Sequence, residues 1–231
     1  MTRSESLSKS LFIRGLQCRK SLYLHKCRPD LKDVLSEDQQ ARFDSGNEVG
    51  RLAQDLFPGG REIPHEGLSY QKQLALTQEE IRSGAGTIYE AAFSHDSVFV
   101  KVDILHKGER GWEIHEVKSS TAVKEVHVAD VAVQYHVVTG SGLPVSKASL
   151  IYINNRYVRR GRIDVRSLFA GEDLTGIVRE RQAAVAEEIA QQKEALRGEE
   201  PVIEIGPWCE NPYPCDFRGH CWGHIPADSV F

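Results

Sequence analysis

Long apolar runs are missing from this sequence. Nowhere do about 18 consecutive hydrophobic residues occur, the minimum for a membrane-spanning helix. The opening stretch from Met1 to Lys20 alternates polar and apolar residues and lacks a secretory apolar core, so a cytoplasmic location and no membrane partner are expected. A surplus of positive charge is missing too. Lys and Arg number 29 against 33 Asp and Glu, a net charge of -4 at pH 7, which argues against a surface that is basic throughout. There is no internal repeat or low-complexity tract, and no histidine pair has HExxH spacing, so His115, His127 and His136 read as structural or surface residues. What is present is ordinary for a globular chain of 231 residues: 40% hydrophobic and 27% charged, with room for one large domain or two small ones.

The charge is unevenly spread. Residues 1 to 32 hold Arg3, Lys9, Arg14, Arg19, Lys20, Lys26, Arg28 and Lys32 against only Glu5 and Asp30, a basic segment on an acidic body. Such a segment suits a phosphate-bearing partner held at one face, or is simply a solvated basic helix. A second basic stretch runs from Arg156 to Arg166.

Periodicity supplies the elements. Ser36 and Gln39 have capping-box spacing, and Phe43, Gly46, Gly50, Ala53 and Phe57 follow at helical intervals until Pro58-Gly59-Gly60, predicting a helix over about 36–57. Tyr70, Leu74 and Ile81 predict another, ending at Ser83-Gly84. From Ile88 to Lys118 the period changes to two, predicting strands. A Val-rich helix over about 124–139 places Asp130 and Gln134 one turn apart on a shared face. A buried strand over 148–153 follows, then a long polar helix over about 173–196 and a tail rich in Pro, Trp and Cys. The predicted order is helix, helix, three strands, helix, strand, helix, tail: an α/β fold with a mixed sheet.

The chemistry is concentrated in one hairpin. A turn centred between Glu109 and Arg110, flanked by Gly108 and Gly111, sets Asp103 directly opposite Glu116. Opposed like charges are destabilising unless neutralised, and a divalent cation would do so. Lys118 is two residues beyond Glu116 and so on the same strand face. Two carboxylates completed by waters and a substrate phosphate are how Mg²⁺ is usually held, with Lys118 beside the attacking water. An acid, any residue and a lysine is also a common triplet on exposed strands, and Glu90 on the neighbouring strand reads as a surface acid or as a further group reaching the same place.

Cys209, Cys215 and Cys221 are evenly spaced in the tail, and Cys18 and Cys27 lie near the other terminus. Clustered thiols in a cytoplasmic chain read as metal ligands, for tetrahedral zinc or an iron-sulfur cluster, before disulfides. Trp208, Tyr213, Phe217 and Trp222 interleave with them, as a shield around the cysteines or as stacking surfaces.

From Cys18 to Trp222 the ordered combination of an N-terminal cysteine, a helix, Asp103, Glu116-Val117-Lys118, a helix bearing Gln134 and three final cysteines resembles the RecB-type PD-(D/E)XK nucleases that carry a 4Fe-4S cluster. That group includes CRISPR-associated exonucleases and AddAB nuclease domains. The resemblance implies a restriction-endonuclease-like core over about 36–170 within a single domain spanning 1–231, and an iron-sulfur clamp joining about 10–32 to 200–224. It implies a Mg²⁺- or Mn²⁺-dependent deoxyribonuclease, an exonuclease on single-stranded DNA ends, and leaves open whether a CRISPR adaptation complex, a repair helicase or neither is its protein partner. Asp103 and Glu116 would be metal ligands with the Val117 carbonyl, Lys118 and Gln134 would be catalytic, and Cys18, Cys209, Cys215 and Cys221 would hold the cluster, leaving Cys27 free. Arg14, Arg19, Lys20, Tyr135, Arg156 and Arg159 would contact DNA. Two positions depart from the family pattern. Gly50 stands where the family has a ligating histidine, with Glu48 as its expected substitute, and Val138 stands where the family has a tyrosine after the glutamine. These departures motivate the alternative of a nuclease-shaped DNA-binding or assembly subunit without catalysis.

Overall fold

The computed structural model describes residues 5–34, 37–226 and 229, with the side chains of all of these except 37–45. In chain order the elements are β1 (Leu7–Ser8), α1 (Lys9–Gln17), α2 (Arg19–Cys27), α3 (Glu37–Gln54), β2 (Arg61–Glu62), α4 (Tyr70–Arg82), β3 (Thr87–His95), β4 (Val98–Gly108), β5 (Gly111–Lys118), α5 (Glu125–Gly140), β6 (Val145–Ile153), α6 (Val165–Leu168), β7 (Phe169–Asp173), α7 (Thr175–Glu180), α8 (Gln182–Arg197) and α9 (Arg218–Cys221). Arg3 and Ser36 lie outside the described residues.

Turn chemistry organises the sheet. Asp96 and Ser97 join β3 to β4 with positive φ angles of 48° and 56°, the backbone of the two-residue hairpin turn whose twist matches that of its strands. Glu109 and Arg110 join β4 to β5, with Gly108 paired to Gly111 and Gly111 at φ 135°, where an L side chain would be strained. Among the described residues the sheet has seven strands in the order β2-β3-β4-β5-β6-β7, with β1 added on β4. The β3–β4, β4–β5 and β6–β7 pairs are antiparallel, and β5–β6 is parallel through the α5 crossover.

One detail of pairing decides where the site forms. The β4–β5 ladder runs from Gly108↔Gly111 to Ile104↔His115 and stops there. β3 occupies the other edge of β4 along nearly its whole length, so β1, paired to Val98 and Phe99, takes the stretch of edge that β5 leaves free. The chain leaves β1 directly into α1, capped by the Ser8 hydroxyl, which accepts from the Leu11 amide at 3.2 Å. This brings Lys9 to the gap between the end of β1 and the end of β5.

Two apolar layers cover the sheet. α5 is apolar nearly all round, with Val128, Val131, Ala132, Val133, Val137 and Val138 buried between the sheet and α7 and α8, and burial overrides the weak helix propensity of valine. α1 lies so close to α8 that a Cβ on Gly15 would meet the Gln192 amide at 2.3 Å. α3 packs on the opposite face through Val49, Leu52 and Ala53 against Tyr89, Ile104 and Val117. No helix among the described residues is long and apolar enough to cross a membrane.

Several expectations need correction. The helix predicted over 36–57 is α3, Glu37–Gln54, and the strand predicted over 148–153 begins earlier, at Val145. The polar helix over 173–196 is two helices. Asp173 closes β7, its carboxylate accepting from the Thr175 amide at 2.9 Å, and the Gln182 side chain takes the Val178 carbonyl at 2.6 Å, ending α7 at the Arg181 corner. The short strands β1, β2 and β7 and the helices α1 and α2 are absent from the predicted order. β2 and β7 are sheet-edge pieces whose residues are mostly exposed and lack alternation.

Candidate active site

Asp103, Glu116 and Lys118 project toward α5 where the β4–β5 ladder opens. The register continues to set Asp103 opposite Glu116, but the Asp103 carboxylate accepts from the Val117 amide at 2.8 Å, a side chain standing in for the next ladder bond. Glu116 is 1% exposed and its carboxylate is saturated. Lys118 Nζ donates to Oε1 at 2.6 Å and Gln134 Nε2 donates to Oε2 at 2.7 Å. Lys9 Nζ bridges both oxygens, at 2.9 and 3.0 Å. Asp130, one turn before Gln134 on α5, takes Lys118 Nζ at 2.5 Å and lies 3.6 Å from Lys9. The site is therefore three acids, two lysines and one glutamine drawn from β4, β5, α5 and α1.

The charges act strongly on one another. Burial, then repulsion from Glu116, pushes the Asp103 carboxyl up to about 8 against the pull of Lys9 and Lys118. Burial also works against ionised Glu116, but the Lys118 and Lys9 ammoniums and their hydrogen bonds outweigh it and hold its carboxyl well below the usual range. Burial disfavours the two ammoniums as well, and the surrounding acids win: Lys9 and Lys118 are both held above the ordinary lysine value. The two opposed carboxyls are thus driven apart, Asp103 toward its protonated form and Glu116 toward its ionised form.

The other expected site residues fall into three groups. Gln134 is fully buried and joins the acids, with its Oε1 lacking a hydrogen-bond partner. Glu48 is exposed on α3, which packs against the Val117 face of the sheet, and it is not among the leading charges acting on Asp103 or Glu116. The structure therefore does not bring Glu48 to the acids. Tyr135 also turns away from them, its hydroxyl accepting from Arg179 at 3.1 Å. Glu90 sits across from Asp103 at a break in the β3–β4 pairing, with φ 57°, and binds Lys101 at 2.6 Å while adding to the repulsion on Asp103. Lys9 carried no signal in the sequence beyond belonging to the basic segment.

That segment is largely spent inside the fold. Arg14 binds Asp216 at 2.7 Å, Arg19 binds Glu188 at 3.0 Å and Lys20 binds Glu200 at 3.3 Å, pairs that fasten α1 and α2 to α8 and the tail. The second basic stretch is open: Arg156, Arg160 and Arg162 line an exposed groove of about 350 Å³ with Asn154 and Tyr157, and Arg159 is exposed beside it, bonded to the Gly161 carbonyl.

The four expected cluster cysteines meet. Cys18, Cys209, Cys215 and Cys221 line one cavity with Trp208, Phe217, Ile203 and Ile205, and Cys27 is not among them. Burial raises the Cys18 and Cys221 thiols, and the neighbouring thiols add to it. Phe217 is fully buried there, whereas Trp208 and Tyr213 are exposed. Tyr213 lies within electrostatic reach of Lys118, Asp130, Glu116 and Lys9, so the cysteine tail borders the acid site. Gln17, at the end of α1, fixes this tail by donating to the Trp208 and Tyr213 carbonyls, each at 2.7 Å. Among the described residues no group of three or more His, Cys, Asp or Glu side chains is placed so that it could hold a metal ion. At the acids, Lys9 and Lys118 fill the space between the carboxylates.

Neither a family model nor a curated relative matches the chain. Among solved structures, the chain is similar to an alkaline exonuclease from Laribacter hongkongensis, with a TM-score of 0.43 and 11% identity over 84% of this chain and 93% of that one. It is likewise similar to that exonuclease in complex with dAMP, with a TM-score of 0.42, 11% identity and the same coverage.

Proposed function

We propose that this chain is a divalent-metal-dependent deoxyribonuclease of the RecB-like PD-(D/E)XK type, hydrolysing phosphodiester bonds at single-stranded DNA ends. The observation that carries this reading is the convergence of Asp103, Glu116 and Lys118 on one face at the open end of a strand ladder, with Gln134 bonded to Glu116 from the adjoining helix. The donor set fits Mg²⁺ or Mn²⁺: hard carboxylate oxygens on adjacent strands, with a buried Asp130 oxygen nearby that lacks a hydrogen-bond donor. When bound by Asp103, Glu116 and the Val117 carbonyl, the ion would supply an activated water at neutral pH.

The residues of the chain do the rest. Lys118, held between Glu116 and Asp130, keeps an ammonium beside the attacked phosphate, where it offsets developing charge. Gln134 fixes the rotamer of Glu116, so that carboxylate does not swing when substrate arrives. The open arginine groove at 154–167 suits a DNA backbone, to which it would contribute affinity without base information.

The second cofactor belongs to the cysteines. Four residues with thiols on a common cavity, walled by Phe217 and two isoleucines, are a donor set for a 4Fe-4S cluster or for tetrahedral zinc. We assign the cluster, with Cys18, Cys209, Cys215 and Cys221 as ligands, a role in joining the chain ends, since closing a loop this long constrains the unfolded chain. A cytoplasmic CRISPR adaptation complex or repair helicase is the kind of protein partner this reading implies.

One observation favours a second reading. Every acceptor position on Glu116 is already taken, by Lys9, Lys118 and Gln134, which suits a nuclease-shaped binding subunit that never loads metal. End-labelled single-stranded DNA with Mg²⁺ or Mn²⁺, incubated with wild type and Glu116→Gln, separates the two. Shortening by wild type alone supports the nuclease. Tight binding with no cleavage by either protein overturns it in favour of the subunit. The visible absorption of anaerobically purified protein distinguishes iron-sulfur from zinc.

A further inference from the structure

We propose that Lys9 is the resident cation of the acid site: its ammonium fills the seat a divalent ion takes, and the ion and the lysine exchange when metal binds. The inference rests on the metal-dependent reading above and adds to it a residue from the N-terminal segment.

The geometry is that of a placeholder. Lys9 Nζ sits nearly symmetrically on the two Glu116 oxygens, at 2.9 and 3.0 Å, with Asp130 Oδ1 at 3.6 Å. A carboxylate offers about four lone-pair positions. Lys9 fills two of them, and Lys118 and Gln134 fill one each. An ion can reach Glu116 only if one of the three donors leaves. Gln134 is fully buried on α5 and cannot swing out without disturbing the helix. Lys118 is anchored by a second acid at 2.5 Å. Lys9 has its second acid only at 3.6 Å, and a flexible four-carbon stem at the first residue of α1 lets its head move alone.

Charge leads to the same donor. With all three ionised, Asp103, Glu116 and Asp130 are matched by Lys118 together with one divalent ion. If Lys9 stayed as well, a positive charge would be trapped in excess in a largely buried site, which is costly. Without metal the opposite holds: removing Lys9 would leave the acids with a single ammonium. The pairing of β1 on the free edge of β4 delivers Lys9 to this place, so the lysine is built into the sheet rather than lying across it by chance.

Two measurements on the full chain test the exchange. In the first, metal-free wild type is treated with an amine-acetylating reagent, and acetylation at Lys9 is followed by mass spectrometry relative to exposed Lys72 while Mn²⁺ is added. Lys9 is expected to be labelled several-fold faster once Mn²⁺ is bound, binding being read from loss of the free-ion electron paramagnetic resonance signal. In the second, Lys9→Met is expected to bind Mn²⁺ about tenfold tighter than wild type, the equivalent of one charge-assisted hydrogen bond of about 1.4 kcal/mol. A charge effect acting only at a distance would tighten the ion without freeing the amine. Mn²⁺ binding that depends on Glu116 while Lys9 stays protected overturns the exchange alone. Absence of Mn²⁺ binding by both wild type and Lys9→Met overturns the metal reading and the exchange with it.

Discussion

The two opposed acids should respond in opposite directions to loss of their charge. Asp103 keeps its proton in the fold up to about 8 because burial and Glu116 work against its ionised form. At pH 9 it is ionised and repelled by Glu116 and Glu90, with only partial compensation from Lys9 and Lys118. Linkage caps the cost at about 6 kcal/mol, and because Asp103 is only partly buried and Lys9 can adjust, a fraction of that is realised, about 1–2 kcal/mol. Asp103→Asn keeps the acceptor for the Val117 amide and removes the repulsion, so metal-free protein at pH 9 should gain that amount, a rise in Tm of about 2–8 °C for a chain of this size. Glu116→Gln should do the reverse. It strips two ammoniums and an amide donor of their shared acceptor, itself 1% exposed, and should cost about 3 kcal/mol. Both variants should lose cleavage. Thermal and urea unfolding of the three proteins at pH 9 with chelator present measures the difference. Loss of stability in Asp103→Asn under those conditions would refute the reasoning, since it would mean that ionised Asp103 is a net stabiliser.

Other outcomes follow from the same contacts. Because folded Asp103 holds its proton to about 8 and the unfolded chain releases it near 3.8, metal-free protein should lose stability as pH rises between those values; Glu116 contributes in the opposite sense, its stabilisation being lost as pH falls below its ordinary 4.5. Added Mn²⁺ should flatten the upper part of that profile, and a Tm that climbs from pH 5 to 8 without metal would contradict the assignment to Asp103. Cys215→Ala should lose the visible chromophore and fold poorly, as judged by absorption and melting; retention of both would remove Cys215 from the cluster. Reversing Arg156 and Arg160 to glutamate should weaken DNA binding several-fold and flatten its salt dependence, read by fluorescence anisotropy at two salt concentrations, and an unchanged slope would exclude the groove.

The part of the site written in a single hairpin was legible, because its geometry is local. A two-residue turn between Gly108 and Gly111 fixes register, and register fixes which side chains face each other, so the opposition of Asp103 and Glu116 needs no tertiary information. Gln134 was legible for a related reason, sharing a helix face with Asp130. Lys9 was not. It arrives through a two-residue strand whose only requirement is a free edge on β4, and nothing in Leu7-Ser8 distinguishes that pairing from an ordinary helix start. The basic segment misled in the same way: charge composition counted Arg14, Arg19 and Lys20 as available, whereas each finds an acid more than 150 residues away in sequence. β7 and the corner at Arg181 were invisible because they depend on an edge of β6 and on the Gln182 amide, neither of which leaves a periodic trace.

The helix Lys9–Gln17 runs from the acids to the cysteines. Its first residue touches the acids, the residue after its last is Cys18, and its nine residues span about 13 Å as one stiff rod clamped on Gln192 at Gly15. Close-packed interiors pass displacement along rather than absorb it. The positions of Cys18 and Lys9 are therefore set by one element, and the close approach of Gly15 to Gln192 fixes both against α8.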